Sequence, residues 1–63
     1  MSDNSNMSIR KFLKQVGVTS QQAIEDAMRE NETSGKEFTA KAVITIGDLQ
    51  LEHSVTGTIK GQD

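Results

Sequence analysis

The chain has 63 residues, a formal net charge of −2 and no cysteine. A chain near this length buries only about 60% of the surface its unfolded form exposes, so it is one marginally stable domain at most. Disulfides and cysteine-ligated metals or clusters are excluded, and a single histidine excludes a histidine-rich zinc site. Good packing or self-association is left as the source of stability. No apolar run approaches the roughly 20 residues that span a bilayer. The opening Met1-Ser2-Asp3-Asn4-Ser5-Asn6 lacks the basic and apolar regions of a signal peptide. Together with the missing cysteines, this suggests a cytoplasmic protein with no membrane association.

In chain order, residues 1–6 are polar and aperiodic, and are expected to be a disordered tail preceding a single domain over 7–60. Ile9, Phe12, Leu13 and Val16 then stand at helical spacing and predict an amphipathic helix over about 7–16, capped by Asn6 or Ser8. Gly17 falls one place past this stripe, where a left-handed residue ends a helix without steric cost, and Val18 would fold back on Leu13. Thr19 precedes Gln22 by three, the spacing of a capping box, with Val18 and Ala23 placed as its hydrophobic staple. A second helix is therefore expected over about 20–31, burying Ala23, Ile24, Ala27 and Met28 and ending at Ser34-Gly35. Residues 29–37 read as a polar connection.

The last third has period two. Phe38, Ala40, Ala42, Ile44 and Ile46 alternate with polar residues and with Val43, and after Gly47-Asp48 the set Leu49, Leu51, His53, Val55 and Ile59 continues the pattern. A hairpin with strands at about 38–46 and 49–59 follows. A two-residue type II′ turn with glycine first would pair Ile46 with Leu49, Ile44 with Leu51 and Ala42 with His53. A one-residue slip would set apolar residues against polar ones. Gly61-Gln62-Asp63 is expected to fray. The fold class is thus α+β: two N-terminal helices packed on a C-terminal antiparallel hairpin. Its expected core is Ile9, Phe12, Leu13, Val16, Val18, Ile24, Ala27, Met28, Phe38, Ile44, Ile46, Leu49, Leu51, Val55 and Ile59.

The segment from Asn6 to Gln21, reading NMSIRKFLKQVGVTSQ, resembles the opening of a short, mostly proteobacterial family known as a domain of unknown function. Ile44-Thr45-Ile46-Gly47-Asp48-Leu49 and Leu51-Glu52-His53 are similar to that family's second half. The connection between helix two and the hairpin looks shorter and more divergent here. The resemblance implies a small conserved cytoplasmic protein and implies no activity.

Residues with chemical potential are few. His53 is the only side chain whose ordinary pKa lies near neutrality. Its neighbours Glu52 and Ser54 point to the other face of the strand, so the three do not assemble a catalytic dyad; a packed sheet histidine is the simpler reading. Glu25, Asp26, Glu30 and Glu32 form an acidic outer face of helix two, and Glu25 is placed to pair with Arg29 four residues on. Arg10, Lys11 and Lys14 lie away from the apolar stripe, with Met7 near them, and are the candidate contacts for a partner or for phosphate. The helix–Gly17-Val18-Thr19–helix junction has the outline of a helix-turn-helix DNA reader, with Gln21 and Gln22 as base-reading candidates. The acids on its second helix would be repelled by phosphates, so nucleic acid is disfavoured. Phosphate-binding loops, nucleophile elbows and a cysteine nucleophile are all missing. A domain this small hardly encloses the cavity of a few hundred Å³ typical of small-molecule sites. No enzyme activity, cofactor, metal or small-molecule substrate is expected. The leading expectation is a protein-interaction module that binds a protein partner or forms a homodimer, joining hairpin edges into a four-stranded sheet. The alternative is a helix-turn-helix-like nucleic-acid-binding regulator.

Overall fold

The computed structural model describes residues 3–61. The chain divides between Glu32 and Thr33 into two compact units, one helical and one a β-hairpin. The architecture is α+β, but with one N-terminal helix where two were expected.

Helix α1 runs without interruption over Asp3–Arg29, 27 residues, or about 40 Å at 1.5 Å per residue. Residues 3–6, expected as a disordered tail, are its first turn; Met1 and Ser2 lie outside the described residues. Gly17 does not stop it. Its φ is not positive, and no atom lies within 4 Å of where its Cβ would stand, so it continues the helix as an alanine would. The punctuation read around it has another use. Thr19 does not cap a new helix: its hydroxyl donates to the Gln15 carbonyl one turn back, at 2.8 Å. Gln22, the supposed other half of a capping box, donates its side-chain amide to the Asp26 carboxylate at 3.1 Å. Ser8, a candidate cap, donates its hydroxyl to the Ser5 carbonyl inside the same helix at 3.0 Å. Val18 is 61% exposed and is neither a staple nor a fold-back contact.

The reason the helix continues lies in the phase of its apolar residues. At about 100° per residue, Ala23, Ile24, Ala27 and Met28 fall on the same side as Ile9, Phe12, Leu13 and Val16, all within an arc of roughly 160°. Two helices meeting at Gly17 would each have needed its own stripe; one helix needs only this one. It ends at Arg29, about two residues short of the expected end near Asn31. Asn31 donates its side-chain amide to the Ala27 carbonyl at 2.7 Å, and its backbone amide reaches the Met28 carbonyl at 3.3 Å. Two of the last carbonyls, free of helical partners, are satisfied in this way.

The hairpin unit starts with a tight turn over Thr33-Ser34-Gly35-Lys36. The Lys36 amide donates to the Thr33 carbonyl at 3.1 Å, and Gly35 takes φ 69°, which glycine adopts without strain. This stretch was expected to be a featureless connection ending the second helix. Strand β1, Glu37–Ile46, pairs antiparallel with strand β2, Leu51–Lys60. Gly61, expected to fray, instead donates its amide to the Lys36 carbonyl at 2.8 Å. Gln62 and Asp63 lie outside the described residues.

The connecting loop differs from the expected two-residue turn. Gly47–Leu49 form a 3-10 turn and Gln50 follows at φ 52°, its amide donating to the Gly47 carbonyl at 3.0 Å. Ile46 therefore faces Leu51, Ile44 faces His53, Ala42 faces Val55, Ala40 faces Gly57 and Phe38 faces Ile59. The register is shifted by two residues from the expected one. Because side chains alternate with period two, a shift of two leaves every strand residue on its expected face. Leu49 alone loses its place: it sits in the loop, 71% exposed.

No residue of the expected core is buried. Among the described residues none is buried. The half-buried apolar residues fall where the patterning puts the apolar sides: Val16 and Met28 on the helix stripe, and Ala40, Ile44 and Ile59 on one face of the hairpin; Asp26, Thr33 and Gly61 are half-buried as well.

Candidate functional site

The features available for chemistry are an apolar stripe and two clusters of charge on α1, together with one histidine on β2. The stripe is the most extensive. Ile9 is 55% exposed, Phe12 51%, Leu13 46% and Ile24 38%. These side chains share one side of one element.

After Asp3 at its start, the charges of α1 are segregated along its length. Between residues 4 and 17 stand Arg10, Lys11 and Lys14 with no acid; between 18 and 30 stand Glu25, Asp26 and Glu30 with one cation, Arg29. Two of the acids are engaged within their own helix. Arg29 forms an ion pair with Asp26, which also accepts from Gln22; Glu25 accepts from Gln21 at 3.1 Å. The expected pairing of Arg29 with Glu25 is thus replaced by one with Asp26, three residues away rather than four. Ion pairs as exposed as this contribute little to stability. Arg10, Lys11 and Lys14 form no ion pair among the described residues. Met7, 66% exposed, lies on their side of the helix as expected.

The two-helix junction that gave the outline of a DNA reader is gone. With α1 continuous through Gly17-Val18-Thr19, there is no turn and no second helix to enter a groove. Gln21 and Gln22, the base-reading candidates, are spent on Glu25 and Asp26.

His53 is exposed, faces Ile44 across the hairpin and shares its face with Leu51 and Val55. Its expected neighbour Ala42 faces Val55 instead. Glu52 and Ser54 alternate to the opposite face, beside Thr45 and Val43. Among the described residues, no group of three or more histidines, cysteines, aspartates or glutamates is placed to hold a metal ion, and no helix is long and apolar enough to cross a membrane.

The accessible stripe was legible in the sequence, but as a core. Its residues are the ones expected to be buried; what sequence reasoning missed is that none of them is buried.

A family model described as "Family of unknown function (DUF6494)" matches residues 1–62. The chain belongs to this family. No curated protein and no solved structure matches it. The match covers both α1 and the hairpin, in agreement with the resemblance noted in both halves of the sequence.

Proposed function

We propose that this family member is a non-enzymatic interaction module that self-associates, most simply as a homodimer in the cytoplasm. One observation carries the reading: the chain has two apolar surfaces and none of its described residues is buried. On the hairpin, Phe38, Ile46, Leu51 and Val55 are 39–52% exposed on one face. On α1 the stripe is equally open.

The physical argument is energetic. Helices in water draw most of their stability from packing an apolar face, and a lone two-stranded hairpin is marginal. Alpha-helix α1 carries a helix-weakening glycine in its middle, as well as β-branched Ile9, Val16, Val18, Thr19 and Ile24. A second protein surface supplies the missing burial at roughly 25 cal/mol per Å² of apolar area removed from water. A second copy is the simplest source, because closed symmetric pairing satisfies the same surface on both chains. The non-enzymatic part rests on arrangement: the one histidine stands among aliphatic side chains, with the carboxylate and hydroxyl next to it on the opposite face.

Sedimentation equilibrium tests the proposal. A dimer is expected at micromolar concentrations; a strict monomer at high micromolar concentration contradicts it.

A further inference from the structure

Resting on that reading, we infer that α1 pairs antiparallel with α1 of a second copy, Ile9, Leu13 and Val16 of each chain seating against Ala27, Ala23 and Ser20 of the other.

Two observations on this helix agree. The first is spacing. Ile9, Leu13, Val16, Ser20, Ala23 and Ala27 follow one another at alternating intervals of four and three, the spacing of a seam between two helices. These positions reflect onto one another through residue 18: Ile9 onto Ala27, Leu13 onto Ala23, Val16 onto Ser20. An antiparallel pair centred there therefore brings seam to seam along its whole length. The seam runs through Gly17-Val18-Thr19, and exists only because α1 is continuous.

The second is size. The N-terminal half of the seam is bulky and the C-terminal half is small. Antiparallel pairing puts one large and one small side chain at every level, so the helices keep an even separation in the usual range of about 8–10 Å. Parallel pairing would stack isoleucine on isoleucine and leucine on leucine at one end, and alanine on alanine at the other. That arrangement splays the helices and leaves the alanine end poorly filled. Phe12 and Ile24, which also reflect through residue 18, lie on opposite flanks of the seam and widen it.

The helix dipoles follow the same preference, since the positive end of each helix meets the negative end of the other.

Because the protein contains no cysteine, single cysteines report the orientation cleanly. Ile9→Cys and Ala27→Cys variants, mixed in equal amounts and equilibrated in a glutathione redox buffer, are analysed by mass spectrometry. Antiparallel pairing predicts the mixed 9–27 disulfide in at least tenfold excess over either symmetric disulfide. Positions 9 and 27 lie about 27 Å apart along one helix, far beyond the Cα separation of about 4–7 Å that a disulfide bridges, so the products of the two orientations do not overlap. A predominance of 9–9 and 27–27 disulfides overturns the inference in favour of parallel helices. If the unsubstituted chain sediments as a dimer but no excess of the mixed disulfide forms, the inference fails while self-association stands, and the hairpin edges are the interface. If the unsubstituted chain is monomeric, both fail. Each variant is first checked for dimerisation under reducing conditions. Should the Ile9 variant not dimerise, the Leu13→Cys and Ala23→Cys pair makes the same discrimination nearer the centre.

Discussion

The helix and the hairpin were each marked by periodicity and by local punctuation, and in each the periodicity prevailed. In α1 the punctuation was Gly17 and the Thr19–Gln22 spacing; both are absorbed into an unbroken helix whose stripe keeps its phase. In the hairpin it was Gly47-Asp48, read as a two-residue turn and found as the start of a longer loop. The consequences differ. A shift of two along a strand returns every side chain to its own face, so the misread turn left the hairpin's faces intact. Joining two helices into one removed a predicted turn, and with it a candidate DNA-reading geometry. A local signal is therefore safest where the pattern around it tolerates displacement.

The sharpest way to break this contrast is to attack the stripe itself. Leu13→Asp puts a charge at the centre of the bulky half, and a buried unpaired charge is strongly disfavoured. Self-association is expected to weaken at least 100-fold, about 2.7 kcal/mol, as measured by sedimentation equilibrium. The equivalent change on the far side of the helix, Val18→Asp, is expected to leave association nearly unchanged.

Next comes the start of the hairpin. A Cβ at Gly61 would stand 1.7 Å from the Thr33 carbonyl oxygen, so Gly61→Ala must displace backbone and not merely a flexible side-chain tip. A loss of about 1–3 kcal/mol is expected, the range for overpacking, seen as a lower melting temperature and loss of hydrogen-exchange protection at residue 61.

The glycines of the two units give a paired test. Gly17→Ala is expected to stabilise by about 0.5–1 kcal/mol, because alanine is the better helix former and its methyl group meets nothing. A helix ending at Gly17 with a left-handed residue would give the opposite sign. Gly35→Ala, at φ 69°, is expected to destabilise by about 1 kcal/mol. Chemical denaturation of both variants checks the signs.

The smallest effect belongs to the loop. Gln50 holds φ 52°, where a non-glycine residue is strained. Gln50→Gly is expected to stabilise by roughly 0.5 kcal/mol. In the two-residue turn Gln50 would be a strand residue, and glycine there would destabilise.

These particulars show how far the sequence could be read. The alternation around Phe38–Ile46 and Leu51–Ile59 fixes faces without fixing loop length, because turns of two and four residues share a parity. The apolar Leu49 drew the register towards the shorter turn. On α1 the continuity was present in the spacing: Val16 and Ala23 are seven residues apart and fall on one side, as do Ile9 and Ala27. It was obscured because Gly17 and Thr19 are both residues that end or start helices elsewhere. Arg10, Lys11 and Lys14 were legible as a group of cations away from the apolar stripe. What no single-chain pattern distinguishes is a side chain buried in its own fold from one buried against another molecule. Both need the same residues at the same spacing.

The dependence of melting temperature on protein concentration reaches the central claim most directly, since a fold completed by a second copy is stabilised by mass action. Diluting the unsubstituted chain about 100-fold is expected to lower the midpoint of the far-ultraviolet circular dichroism transition by several degrees, on the order of the 2.7 kcal/mol change in association free energy that this dilution represents. A single midpoint, unmoved across that dilution in a chain that sediments as a monomer, would contradict the claim.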